Sequence, residues 1–339
     1  MGDLDAEVET AVPVVGEEFV FVELPELLRR FGYTGFCPTP EPCDWRLPYG
    51  LYKGMQGHFV DEAPIEVRGD TEIYRVRFQT GETYYYYASQ RLGGKFAPVA
   101  PIVPRALQER VNAFQPEPLV PCSATWVMDA RIEFGRLLYQ LSNSQTISAE
   151  KLSAIRQLST QFADYGVPLA ERLLEVEIRH SLDPYRSAPV TYLEPAGELK
   201  ANDLRLVLRL SEEGIQPLLR AQYFGDRWIY LRMLEFYADQ RLWQRWGLRV
   251  HRHEQQGQVR EWVELPGGEE VLAIAEALAT ARQARVRFEG ARVYALLKLS
   301  RTNQEELRRM LDIYRLLVAA LEKPTPPAPI SHGLQMCGN

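Results

Sequence analysis

The amino-acid sequence predicts an α+β chain: two β-rich domains, at 17–118 and 192–322, joined by a helical connector at 129–181. Three observations carry that reading. Apolar and charged residues alternate with a period of two around Tyr74–Phe78 and again from Leu204 to Leu210, the pattern of a half-buried strand. Short turn signals recur between 211 and 257, as Gly214, Gly225-Asp226, Asp239-Gln240 and Gln256-Gly257, which spaces strands as an antiparallel meander. Apolar residues at helical spacing fill 148–174 and 302–321. The remaining segments, 1–12 and 324–339, read as loose termini, the latter broken by Pro324, Pro326, Pro327 and Pro329.

In the first domain, 24–31 supports a short amphipathic helix, and a proline-rich loop holding Cys37 and Cys43 follows. Tyr74, Val76 and Phe78 alternate with Arg75 and Arg77, Thr80-Gly81 supplies a turn, and 83–87 returns as the second strand of a hairpin. Because side chains in a strand alternate between faces, the four consecutive residues Tyr84, Tyr85, Tyr86 and Tyr87 are expected to divide, two inward and two outward. The stretch Lys53, Gly54, Met55, Gln56, Gly57, His58, Phe59, Val60, taken with Val76, Arg77, Phe78 and with Gly81, Glu82, resembles small SH3-like barrels. That resemblance covers only this part of the chain and implies a small curled sheet.

The connector is expected to hold an antiparallel helix pair. Ser148 is placed to cap the first helix, whose apolar face is Leu152, Ile155, Leu158 and Phe162. Gly166 stops it, and Pro168 opens a second helix carrying Leu169, Leu173 and Leu174. In the second domain, 204–265 reads as a single up-and-down sheet. A helix at 270–281, a strand at 286–288 and a final helix come next. That last helix, with a Thr302-to-Glu305 capping box and apolar positions from Leu307 to Leu321, is expected to lie across the sheet.

Composition narrows function by exclusion. Lys plus Arg number 39 against 45 Asp plus Glu, a formal charge of −6, so bulk charge does not favour nucleic acid. No run approaches the roughly 20 apolar residues of a membrane-spanning helix. The first ten residues are acidic and lack the basic and apolar regions of a signal peptide. The expected location is cytoplasmic if Met1 is the native start and extracytoplasmic if a leader was removed. Cys37 and Cys43 are close enough for a small disulfide loop, while ordinary reduced thiols, with Cys122 and Cys337 isolated, are the favoured alternative. No phosphate-binding glycine loop, serine nucleophile elbow or zinc spacing occurs, and no cofactor is implied. Arg68-Gly69-Asp70 matches an adhesion tripeptide but sits where turn chemistry explains it.

Two candidate sites remain. Outward tyrosines of the group Tyr84–Tyr87 beside Arg75 and Arg77 are residue types enriched at contact surfaces, and point to another protein as the partner. A second aromatic group, Trp228, Tyr230, Trp243, Trp246 and Trp262, reads as core packing. His251 and His253, two apart in a strand, share a face and could begin a metal site if a third ligand joined them. The sequence therefore favours a non-catalytic protein-binding or scaffold protein, with a metal-dependent enzyme centred on His251 and His253 as the alternative. It specifies no oligomeric state.

Overall fold

A computed structural model describes residues 17–92, 94, 101–133, 136–162, 165–182, 189–197, 201–255 and 257–322; both expected loose termini, 1–12 and 324–339, lie outside them. Strand makes up 43% and helix 27%, which places the chain in the α+β class with an excess of β. The sheets are antiparallel throughout. The chain divides into two compact units, Met1–Glu117 with Thr125–Ala149, and Pro118–Ala124 with Glu150–Asn339.

The first unit contains strands β1 (Glu18–Phe21), β2 (Phe36–Cys37), β3 (Gln56–Phe59), β4 (Glu66–Arg68), β5 (Thr71–Phe78), β6 (Thr83–Ser89) and β7 (Ile102–Pro104), with helices α1 (Glu26–Arg29), α2 (Tyr49–Tyr52) and α3 (Arg105–Asn112). The strand order is β2-β6-β5-β3-β1-β7, and β4 adds to one end of β5. The expected hairpin is β5–β6, in register from Thr71↔Ser89 to Arg77↔Thr83, around a turn in which Gly81 takes φ +89°. One face of this sheet encloses an aromatic core of Phe19, Phe21, Phe36, Phe59, Tyr74, Phe78 and Tyr86. Rings meet mostly edge-on, as Phe19 and Phe59 do at 5.4 Å and 63°, the arrangement that the ring quadrupole favours. Gly57 makes room for it, since a Cβ there would stand 2.5 Å from Phe19 Cζ.

A second sheet follows, formed by β8 (Glu117–Pro118), where the chain passes from one unit to the other, β9 (Trp126–Glu133), β10 (Arg136–Leu141) and β11 (Thr146–Ser148). This corrects the expected helical connector: its first third is strand. In β10, Leu137, Tyr139 and Leu141 are buried at alternate positions, while charged Asp129, Arg131 and Glu133 hide the period in β9.

In the second unit, after 118–124, the first elements are α4 (Ala149–Gln161) and α5 (Gly166–Leu173), the helix pair expected there, with Leu152, Ile155, Leu158 and Leu169 buried. Next come β12 (Val176–Leu182), β13 (Pro189–Pro195), β14 (Asp203–Ser211), β15 (Gly214–Gly225), β16 (Met233–Ala238), β17 (Arg241–Trp246), β18 (His251–Gln255), β19 (Gln258–Pro266), α6 (Glu269–Thr280), β20 (Ala284–Glu289), β21 (Tyr294–Lys298) and α7 (Arg301–Glu322). They form two sheets, ordered β12-β13-β14-β15-β19-β18 and β17-β16-β20-β21. The interval 204–265 is therefore not one meander. After β15 the chain leaves the first sheet, makes the β16–β17 hairpin in the second, and returns so that β19 pairs with β15.

The departure has a physical cause. The Glu261 side chain, fully buried, accepts backbone hydrogen bonds from Ile229 and Tyr230 at Oε1 (2.7 and 2.8 Å) and from Leu231 at Oε2 (2.8 Å). Amides that a strand would give to a neighbouring ladder are taken by a side chain instead, and Tyr230 adopts φ +55°. The expected strand from Trp228 onward accordingly starts only at Met233.

Helix α7 packs against α5, α6 and the strands β13, β14 and β15. Its cap lies two residues earlier than expected: Asn303 N–H donates to Ser300 Oγ (3.2 Å), and Ser300 N–H donates to Asn303 Oδ1 (3.0 Å). No helix among the described residues is long and apolar enough to cross a membrane.

Candidate functional site

The tyrosine strand divides as its period requires. Tyr84 and Tyr86 turn to the core, Tyr86 stacking on Phe36 at 4.8 Å and Tyr84 on Phe78 at 4.8 Å. Burial pushes the Tyr86 and Tyr87 hydroxyls up from the usual phenol range. Tyr85 and Tyr87 lie on the opposite face, in register with Arg75 and Ile73. Arg75 is already engaged, Nε and Nη2 bonding both oxygens of Asp61 at 3.0 and 2.6 Å. Arg77 is exposed beside His58. The Cys37–Cys43 loop borders this face, because Cys37 pairs with Tyr85 across β2 and β6 and Arg68 Nη2 donates to the Pro40 carbonyl at 3.2 Å. Arg68 also forks onto Glu66, so the Arg68-Gly69-Asp70 turn presents no free arginine.

Two cysteine expectations change. Cys37 and Cys43 form a disulfide, and Cys122, read as an isolated thiol, is disulfide-bonded too. No free cysteine occurs among the described residues; Cys337 lies outside them.

His251 and His253 share the exposed face of β18. His251 stacks on Trp262 at 5.1 Å and 17°, and His253 stands opposite Arg260. No group of three or more His, Cys, Asp or Glu placed to hold a metal ion occurs among the described residues.

The tryptophans depart furthest from expectation. None belongs to the buried core. Trp246 is 66% exposed, and its position on β17 puts it on the outer face of the sheet β17-β16-β20-β21. Registry builds that face in rows. Trp246, Met233, Glu289 and Tyr294 form one; Gln244, Glu235, Arg287 and Leu296 form the next; Leu242, Tyr237, Arg285 and Lys298 form the third. The inner face, with Leu234, Phe236, Val286 and Phe288, is buried.

No family model matches the chain, and no curated protein or solved structure matches it. Its chemistry is therefore read from this face itself.

Polar groups at the centre of the face are tied together. Glu235 is 6% exposed although it points outward. Its carboxylate accepts from Tyr237 Oη and Gln244 Nε2, both at 2.7 Å, with Arg287 at 3.7 Å. The Tyr237 hydrogen bond, helped by those from Gln244 and by the Arg287 charge, holds its pKa below the usual 4.5. Arg287 is ion-paired with Glu289 at 2.7 Å and lies 4.3 Å over the Tyr294 ring; Arg285 lies 4.4 Å over Tyr237. Stacked guanidinium groups hold these rings in place. Around this centre Trp246, Tyr294, Leu242 and Leu296 stand exposed.

Strand β21 escaped the sequence reading because Tyr294-Ala295-Leu296-Leu297-Lys298 is built of strong helix formers. The signal that existed was Tyr294, Leu296 and Lys298 at alternate positions. Elsewhere, a groove of roughly 410 Å³ opens beside Gly267 and Gly268. Its lining mixes Arg209 with Glu213 and Glu269, so charge selects no ligand there.

Proposed function

We propose that this chain is a non-catalytic docking protein that binds another protein through the outer face of β17-β16-β20-β21. The observation that carries the reading is Trp246, Leu242, Leu296 and Tyr294 exposed together around a Glu235 carboxylate that is hydrogen-bonded to Tyr237 and Gln244 and ion-paired with Arg287. Exposed apolar clusters of this kind cost solubility unless something covers them, and aromatic residues with Arg are the types that dominate binding energy at interfaces. The face of β5–β6 bearing Tyr85, Tyr87, Arg75 and Arg77 is a second, smaller contact surface in this proposal. We read the first unit, a sheet around an aromatic core, as a module of the small SH3-like barrel type. The disulfides at Cys37–Cys43 and Cys122 favour an extracytoplasmic setting, where such bonds persist.

A photo-cross-linking amino acid placed at Leu242 or at Leu296 in the native host tests the docking face. One discrete protein adduct is expected from both positions, absent from a control at Glu212 and lost when Trp246→Ala is added. Adducts equally abundant from Glu212, or none from either face position, would refute the proposal.

A further inference from the structure

The docking face also carries a charge imbalance that specifies the chemistry of its partner. Arg285 and Lys298 are directly opposed across β20 and β21. Both are exposed, and neither forms an ion pair among the described residues, whereas Arg287 is committed to Glu235 and Glu289. Like charges facing one another across a strand pair are destabilising. The acidic groups of the face already have cationic partners: Glu235 is paired with Arg287 besides its two hydrogen bonds, and Glu289 is paired with Arg287, although its buried Oε2 accepts no hydrogen bond. Arg285, stacked on Tyr237 and attracted to Glu235 only without direct contact, and Lys298 are thus the two cations of this face outside any ion pair, on a chain whose formal charge is −6.

We propose that the outer face of β17-β16-β20-β21 binds an acidic segment of a partner protein, with carboxylates meeting Arg285 and Lys298 and an apolar or aromatic side chain seated among Trp246, Leu242, Leu296 and Tyr294. The proposal rests on the docking reading above and adds the chemistry of the partner. A carboxylate between Arg285 and Lys298 relieves their mutual repulsion, and the apolar anchors supply the desolvated contact that makes such a charge pair count. Nucleic acid fits less well. Its line of phosphates draws affinity from many neutralised charges, and this face offers two against an acidic molecule, while Leu242 and Leu296 ask for aliphatic or aromatic side chains.

The test is binding of the full chain to dye-labelled poly(Glu,Tyr), read by fluorescence anisotropy at low salt, with poly-Glu and a single-stranded oligonucleotide as comparators. Poly(Glu,Tyr) is expected to bind best. Arg285→Glu and Lys298→Glu are each expected to weaken it by about tenfold, and Trp246→Ala by a similar factor. The charge-matched control Arg308→Glu, on the exposed side of α7, is expected to leave it unchanged. Equal loss in Arg308→Glu, oligonucleotide binding as tight and as sensitive to Arg285, or no binding of poly(Glu,Tyr) by folded protein would each overturn the proposal. The docking reading fails separately: a cross-linked partner still captured by Arg285→Glu and Lys298→Glu keeps the face as a protein-binding surface and removes only its acidic specificity.

Discussion

Glu235 illustrates how a residue that the pattern of the chain marks as exposed becomes buried by its neighbours. It points to the solvent side of β16, but Tyr237, Gln244 and Arg287 converge on its carboxylate. Hydrogen bonds to an ionised acceptor are the stronger kind, and they favour the charged form, so the folded-state pKa lies below the ordinary 4.5. A carboxylate depressed in this way stabilises the fold above about pH 4.5, and that contribution disappears as pH falls through the lowered value. Glu235→Gln is expected to cost roughly 1–2 kcal/mol at pH 7 and to flatten the acid side of the stability profile. Urea midpoints measured at pH 7 and at pH 3 check this: a Glu235→Gln deficit as large at pH 3 as at pH 7 would contradict it.

At the scale of elements, the decisive feature is the stretch between β15 and β16. Turn residues at Gly225-Asp226 mark a turn equally well whether the next strand rejoins the same sheet or begins another. What chooses is Glu261, some 30 residues later, which gathers three amides and holds the chain out of the ladder. Glu261→Ala leaves those amides buried and unpaired. At 1–3 kcal/mol for each lost partner, some replaced by water, the expected loss is about 3 kcal/mol or more. Equilibrium unfolding in urea gives the number, and a loss under about 0.5 kcal/mol would mean that the stretch is held by other contacts. The strands that were legible, β5, β6, β14 and β15, form two hairpins about turns at a fixed place, with apolar alternation in Tyr74–Phe78 and Leu204–Leu210. Those that were not, β9 and β21, carry either mostly charged residues or helix formers, and are strands because a neighbouring strand pairs with them.

For the whole molecule, the redox state of the cysteines is the most direct test of where the chain is built to work. Four cysteines in 339 residues are too few to read as a framework, so spacing alone favoured free thiols. Yet Cys37 and Cys43 have Cα atoms 5.9 Å apart, within the span a disulfide requires, and Cys122 is also bonded. Alkylation of the protein from its native host under denaturing, non-reducing conditions is expected to leave Cys37, Cys43 and Cys122 unmodified, and to label all three once a reductant is added. Peptide mass mapping reads the result; full labelling without reductant would remove the extracytoplasmic reading.

The amino-acid order by itself determined the α+β class, the β5–β6 hairpin with its inward and outward tyrosines, and the amphipathic helices α4 to α7, because these follow from periods of two and 3.6 residues and from local turn chemistry. Tertiary structure alone decided which sheet each later strand joined, that Trp246 faces outward, and that β21 completes the outer face proposed for docking. Those outcomes depend on partners distant in sequence: the Glu261 carboxylate that draws three remote amides, and the strand edges that turn Trp246, Arg285 and Lys298 onto one surface.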